Sequence, residues 1–582
     1  MLRLTSRLSR ARPLIMSAPR KNSTAPETPP KGYAVDPSAG PMLRYQASLP
    51  RLPVPTISST AHKYLETARP HLTPAEYAQT EAAVHAFIDS PQSAELQRRL
   101  EARAAEPGRL SWLSDWWNDA AYMGYRDPVV VFVSYFYVHV DDRLRTKPAQ
   151  RAASLIKAML PFRQMTENKE LEPEKVRGAP LCMDSYKWLF HSSRYPTKPS
   201  DTARKFDPAT HNHVVFVRKN KFFSVPLAHR SGQELSAAEL ETQIERVIEL
   251  AGSTPATPVG ALTSDNRDTW TDARTALLAA SPANAQSLEA IESAMIVVCL
   301  DDTKPVTREA ISTACWVGDG RNRFYDKHQL IVFDNGRSGF LGEHSCMDGT
   351  PTLRMNEFML ATLALNKKRF DALTAAHELH VLHYEGYGKD AIKRFKASPD
   401  AWAQCVKQLA FHKIAQTRKY QLGRTEVIRS ASSETKAWAE AMLDPAESDA
   451  RRAALFLRAW AADGQGVDRH LFGLRKMLRA GEPVPALYLD GAFARTGHWE
   501  LSTSQLSSPY LDGWGYGEVV PDGFGLAYAI GDGYLRWTIT STRGDAAELR
   551  HWLAEAATET RAMMERAEKA EALGKAEGKA KM

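Results

Sequence analysis

The chain has 582 residues, 43% hydrophobic and 25% charged, which is more than one ordinary core can hold, so two large domains are expected. Its formal net charge of +7 sits mostly at the amino terminus, where residues 1–31 carry seven basic side chains against Glu27 alone. The remainder is close to neutral, which argues against a nucleic-acid partner, since that would need a basic face on the folded part.

In chain order, the leader Met1–Lys31 is Arg-rich and Ser-bearing, the composition of a mitochondrial presequence; a disordered basic tail is the plain alternative. The Pro-rich run APETPPKGYAVDPSAGP reads as a linker. In LTPAEYAQTEAAVHAFI, Thr73 caps a helix, Pro74 takes its first turn and Glu76 completes a capping box. PVVVFVSYFYVHV, from Pro128, falls short of the ~20 residues of a membrane-spanning helix. Its β-branched and aromatic residues predict a buried strand. Further strands are predicted in HNHVVFVRKNKFFSVPL (211–227), QLIVFDNG (329–336) and GFGLAYAI (523–530). Helices are predicted in SAAELETQIERVIELAG and in DAAELRHWLAEAATETRAMMERAEKAEAL, the latter capped by Asp545. Helices and strands mix without strict alternation, which gives an α/β or α+β class. The final GKAEGKAKM reads as a frayed polar tail or an address. The cysteines Cys182, Cys299, Cys315, Cys346 and Cys405 form no C-x-x-C pair, so neither a disulfide framework nor a zinc knuckle is indicated.

Several stretches carry chemistry. GEHSCMDGTP (342–351) places His344, the side chain that most readily trades a proton near neutral pH, just after a predicted strand. AHELHVLHYEGYGK offers His377, His380 and His383 with Glu378, but the spacing does not fit the i, i+4 zinc motif. Alternation suggests a strand with His380 and His383 on opposite faces, hence structural histidines. YGKDAIKRFKASPD carries Lys389, Lys393, Arg394, Lys396 and Asp400, either a solvated face or a phosphate site with lysines as point charges. In LSTSQ, Ser502 and Ser504 share one side of an extended stretch: an ordinary strand end, or hydroxyls aimed into a pocket where one stabilises an oxyanion. Arg469 of GVDRHLFGL is either a helix-surface cation or a planar fork for a carboxylate.

LPRLPVPTISSTAHKYL, PLCMDSYKWLFHSSRYP, THNHVVFVRKNKFF, RFYDKHQLIVFDNGRSGFLGEHSCMDG, GRTEVIRSAS, DRHLFGL and LSTSQ together resemble, in order, the signatures of the choline/carnitine acyltransferase family. The resemblance covers most of the chain after residue 32 and is strongest to the fungal carnitine O-acetyltransferase branch. It implies two chloramphenicol-acetyltransferase-like domains, each a mixed sheet with flanking helices, and an active-site tunnel between them. The implied bounds are a leader over 1–31, one domain over 32–105 and 366–573, the other over 106–365, and a tail over 574–582. It also implies reversible transfer of an acetyl or short acyl group between coenzyme A and the hydroxyl of carnitine. His344 would be the general base of a direct transfer without an acyl-enzyme, and Ser504 would stabilise the oxyanion.

By the same resemblance, Lys389, Lys393 and Asp400 occupy coenzyme A positions. Thr425 and Arg469 occupy those that hold the carnitine carboxylate, and Ser502 and Tyr516 belong to the carnitine site, Tyr516 beside the trimethylammonium group. Trp514 occupies the acyl-length gate, Trp117 and Tyr122 match a segment near the pocket, and Glu343 and Asp348 flank the base and orient or polarise it. Gly513 and Gly515 would leave the Trp514 indole free to swing. Acetyl-CoA and carnitine are substrates; no bound cofactor and no metal are implied. The expected protein is a monomer without a transmembrane segment, peripheral to the inner mitochondrial membrane. Its terminal Ala580-Lys581-Met582 suggests a second, peroxisomal destination.

Against the family pattern the chain is shortened near LALNKKRF, between Ile414 and Ala415, and around LRAWAADGQG, where a "TYE" segment that helps hold carnitine is missing. An inactive or weakened acyl-CoA-binding relative is therefore one alternative, and a medium-chain carnitine acyltransferase another. A choline acetyltransferase is disfavoured by Arg469 and Thr425, since choline has no carboxylate.

Overall fold

Alternating apolar runs build the strands β1 (Tyr135–His139), β2 (His213–Arg218), β3 (Lys221–Pro226), β4 (Val297–Asp301), β5 (Gln329–Phe333), β6 (Ser338–Gly342), β7 (Leu501–Gln505), β8 (Leu511–Tyr516), β9 (Phe524–Ile530) and β10 (Leu535–Thr540). The structure, a computed structural model, describes residues 29–318, 321–374, 386–395, 397–399, 402–403, 406, 413–416, 425–428, 433–444, 446–458, 467–479, 481–520, 522–541 and 546–580. At 364–374, 413–416, 425–428, 433–435, 456–458, 547 and 574–580 the description is of the backbone alone. Asp400, Asp545, the His377–His383 cluster, residues 1–28 of the leader and the last two residues lie outside the described residues.

The principal sheet has the order β8-β1-β6-β5-β4-β2-β3. Strand β4 runs parallel to both β5 and β2, and the other neighbours are antiparallel. A second sheet pairs β7 in parallel with β9, and β9 antiparallel with β10. The fold is thus mixed α/β, with helices flanking the sheets. Side chains alternate across each strand, so the large sheet has two apolar faces. Tyr135, Tyr137, Phe216, Leu330, Phe340 and Trp514 enter one core, while Phe136, Val138, Val217, Ile331 and Leu341 enter the other. The first face is covered by α2 (Pro148–Glu167), α3 (Ala237–Ala251) and α4 (Gly349–Thr374).

The capping box predicted for α1 (Pro74–Ile88) is present: Thr73 Oγ1 accepts from Glu76 N–H and the Glu76 carboxylate accepts from Thr73 N–H at 2.9 Å. Two sequence readings are corrected. In PVVVFV the amides of Val133 and Ser134 both donate to the Val129 carbonyl, at 2.8 and 2.7 Å, so Val129–Phe132 folds into a tight turn with Val130 extended, and the strand begins only at Tyr135. The tail does not fray at GKAEGKA: helix α7 (Ala546–Ala580) runs through it. The interleaved Ala, Glu and Lys are strong helix formers, and each glycine there costs only about 1 kcal/mol. Between α4 and α7 lie the short α5 (Lys389–Arg394) and α6 (Asp468–Lys476). Among the described residues no helix is long and apolar enough to cross a membrane.

Candidate active site

The site forms where β8, β1 and β6 end together. Tyr516 of β8 lies opposite Tyr135 of β1, which lies opposite Gly342 of β6. A Cβ at residue 342 would collide with the Tyr135 ring, so glycine is what lets that ring lie flat across the strand end. From Gly342 the chain turns through Glu343–Asp348 into α4, and His344 stands in that turn.

The imidazole has one defined orientation. Its Nδ1 is 3.2 Å from the Val133 carbonyl, which can only accept, so Nδ1 carries the proton and Nε2 the lone pair. Nε2 is 3.5 Å from Oδ1 of Asp348, which is buried. Tyr122 and Tyr135 meet the imidazole edge-on from two sides, each with ring centroids 5.0 Å away. The ring is about a quarter exposed (28%), enough for a reactant to reach it. Behind it, His328 is held neutral: burial, then the charges of Lys327 and His344, push its pKa down to about 3. Its Nδ1 accepts the Glu343 amide at 3.0 Å. The Glu343 carboxylate accepts from Ser345 N–H at 3.0 Å and from Ser345 Oγ–H at 2.6 Å.

The neighbouring strands bring in more of the expected residues. Tyr516 donates its hydroxyl to the Ser502 carbonyl at 2.8 Å, and burial drives its phenol pKa well upward, so the ring is fixed and neutral. Ser502, buried, and Ser504, half-buried, lie opposite Gly525 and Ala527 of β9 on one side of β7. Trp514 is buried, its Nε1–H donates to the Tyr528 carbonyl at 3.2 Å, and its ring lies 5.7 Å from that of Tyr516. The flanking glycines therefore do not release the indole.

Arg469 resolves differently from a helix-surface cation. It is 4% exposed on α6, its guanidinium stacked over Trp117 at 3.2 Å from the ring centre. The backbone strand Thr425–Ile428 packs against α6, which puts Thr425 beside the same helix. Lys389 and Lys393 sit on the surface of α5, apart from the strand row. Lys389 N–H donates to the Gly531 carbonyl at 3.0 Å and its ammonium is 3.5 Å from Asp532. Gly531 is four residues beyond Ala527 along β9, about 13 Å at the rise of a strand. Sequence reasoning assigned no role to Tyr135 or Arg194; the aromatic run YFYVH was legible only as a strand. Among the described residues, no group of three or more His, Cys, Asp or Glu side chains is placed to hold a metal ion.

Comparison with known proteins gives a consistent picture. A family model described as choline/carnitine O-acyltransferase matches residues 52–368 and 361–555, the two matches meeting in the stretch that includes LALNKKRF. The chain is 34% identical to a protein of Saccharomyces cerevisiae named mitochondrial carnitine O-acetyltransferase, over 88% of this chain and 87% of that one. It is 31% identical to a Homo sapiens carnitine O-acetyltransferase, over 90% and 94% of the two chains. A mitochondrial carnitine O-palmitoyltransferase 2 of Rattus norvegicus is 30% identical, over 92% and 95%.

Proposed function

The chain belongs to the choline/carnitine O-acyltransferase family, and we propose that it moves an acetyl or other short acyl group reversibly between coenzyme A and the hydroxyl of carnitine. The observation that carries this reading is the orientation of His344, with Nδ1 on the Val133 carbonyl and Nε2, the nitrogen that would act as base, facing Asp348. The carnitine hydroxyl gives its proton to Nε2 as its oxygen attacks the thioester carbonyl. The tetrahedral oxyanion accepts a hydrogen bond from Ser504. Collapse breaks the carbon–sulfur bond, and the imidazolium returns the proton to the departing thiolate. Asp348, 3.5 Å from Nε2, offsets the positive charge while it lasts. One group serves both directions, and no acyl-enzyme is needed.

In this reading Arg469 and Thr425 hold the carnitine carboxylate, Ser502 adds to that site, and the Tyr516 face meets the trimethylammonium group. Lys389, Lys393 and Asp400 hold coenzyme A, with Lys389 of α5 bonded just beyond the end of β9, which leaves room for an extended pantetheine arm. Trp514 closes the acyl channel. Coenzyme A thioesters are substrates of the family rather than bound cofactors, and we assign this chain neither a resident cofactor nor a metal. The domain bounds given above stand as part of the proposal, with β8 crossing from the later segment into the sheet of 106–365. The proposed protein is a monomer, peripheral to the inner mitochondrial membrane.

The Arg469→Asn variant tests the carboxylate site. Losing one charged partner of a buried pair costs about 2–3 kcal/mol, so the KM for carnitine should rise roughly 30- to 150-fold while use of choline improves relative to carnitine. Unchanged carnitine KM in a folded variant would remove Arg469 from the site. Destination is tested separately. Residues 1–31 fused ahead of a reporter should direct it to mitochondria. A chain begun at Met16 and tagged at its amino terminus should reach peroxisomes through Ala580-Lys581-Met582; a diffuse cytosolic signal would count against each address.

A further inference from the structure

One guanidinium touches both walls of the imidazole site without touching the imidazole. Arg194 lies in the short strand Ser192–Tyr195 and its side chain is completely buried. Its Nε–H donates to Asp201 Oδ2 at 2.7 Å and its Nη2–H to the Tyr122 carbonyl at 2.7 Å. Its Nη1 makes no hydrogen bond among the described residues but faces Glu343 Oε1 at 3.8 Å. Tyr122 is the residue whose ring packs edge-on against His344. Glu343 is the residue whose carboxylate bonds twice to Ser345, so that the neighbours of His344 on either side are tied together beneath it.

Neutralising Asp201 does not explain this arrangement. Asp201 already accepts from Arg267 Nε at 2.6 Å and from Arg126 Nη1 at 2.9 Å, so it has two other cations. Its own amide donates to the Met123 carbonyl at 2.9 Å, which fixes it to the Tyr122 segment. Asp201 therefore clamps the guanidinium, and the planar fork turns one nitrogen to a hydrogen bond with the Tyr122 carbonyl and the other to the Glu343 carboxylate at ion-pair distance. A misplacement of about 1 Å at a reacting group can cost roughly 100-fold in rate, so a shared reference for both walls matters to turnover.

We propose that Arg194 is a positioning residue for His344, acting through Glu343 on the turn that carries the imidazole and through the Tyr122 carbonyl on the ring that covers it. The proposal rests on the reading of His344 as the base. It is tested by kcat and KM for acetyl-CoA and carnitine in Glu343→Gln, Arg194→Lys and the double variant, with thermal unfolding as a check on folding and His344→Ala as reference. Each single variant should lose roughly 10- to 100-fold in kcat, the cost of a misplaced reacting group, with both KM values within about twofold. The double variant should fall no more than about threefold below the slower single one, because both substitutions cut one path. Wild-type kcat in both folded singles, a loss carried by KM, or losses that multiply in the double variant would overturn it. If Arg194→Lys fails to fold, Glu343→Gln and Ser345→Ala decide by the same kcat-against-KM criterion. A His344→Ala enzyme that still turns over would overturn the base reading itself. An inactive His344→Ala beside fully active Arg194→Lys and Glu343→Gln would overturn the role of Arg194 alone.

Discussion

In the His344→Ala variant turnover falls about 1,000-fold or more, within the 10²–10⁴ typical of losing a positioned acid–base group, while acetyl-CoA continues to bind. The two effects separate in the proposed reading because the imidazole would work on a proton between hydroxyl and thiolate, whereas Lys389 and Lys393 on α5 would hold the nucleotide. The Val133 carbonyl, Tyr122 and Tyr135 border the space the ring leaves, and Asp348 lies across it, 3.5 Å from the Nε2 position. His328 cannot substitute, since its Nδ1 is occupied by the Glu343 amide and burial, the largest cause of its lowered pKa, persists in the variant. The measurement is single-turnover transfer alongside equilibrium binding of acetyl-CoA. A variant that keeps more than a few per cent of wild-type turnover would remove the general-base assignment.

The second large effect is on chain length. Trp514 is buried, paired opposite Tyr137 of β1 and pinned by its bond to the Tyr528 carbonyl. An acyl chain longer than two carbons would have to displace packed atoms there instead of gaining about 0.8 kcal/mol for each methylene buried. Trp514→Gly opens that wall. Octanoyl-CoA has six more carbons than acetyl-CoA, worth up to about 5 kcal/mol of burial, so even half of it raises the ratio of octanoyl to acetyl kcat/KM roughly 60-fold. Acetyl transfer falls modestly through lost packing, and Trp514→Ala provides a less flexible second variant. If the wild type already prefers octanoyl-CoA, or the ratio does not rise, Trp514 is not the gate.

The elements most visible in the sequence are those fixed by local chemistry. Thr73 and Glu76 announce α1 because a capping box needs only residues three apart. The runs that became β2, β3, β5 and β9 were legible because each strand carries its own alternation. PVVVFV misled because β-branched composition cannot see the amides of Val133 and Ser134 converging on Val129. The site was legible residue by residue through its motifs, yet its assembly was not. Nothing local tells Tyr516 that it will pair with Tyr135, because that contact joins distant parts of the chain. Arg469 read either as a carboxylate fork or as a helix-surface cation, and only the packing of α6 against Trp117 excludes the surface. Arg194 drew no role, since its three partners come from segments around residues 122, 201 and 343.

The most direct test of the central claim is free thiol released from acetyl-CoA by the purified full chain, with and without carnitine. Because the sequence reads as shortened against the pattern it resembles, the competing possibility is a protein that binds acyl-CoA and does not transfer. Thiol release should depend on carnitine, be matched mole for mole by acetylcarnitine, and disappear in His344→Ala. Saturable binding of acetyl-CoA with no carnitine-dependent thiol release would contradict it.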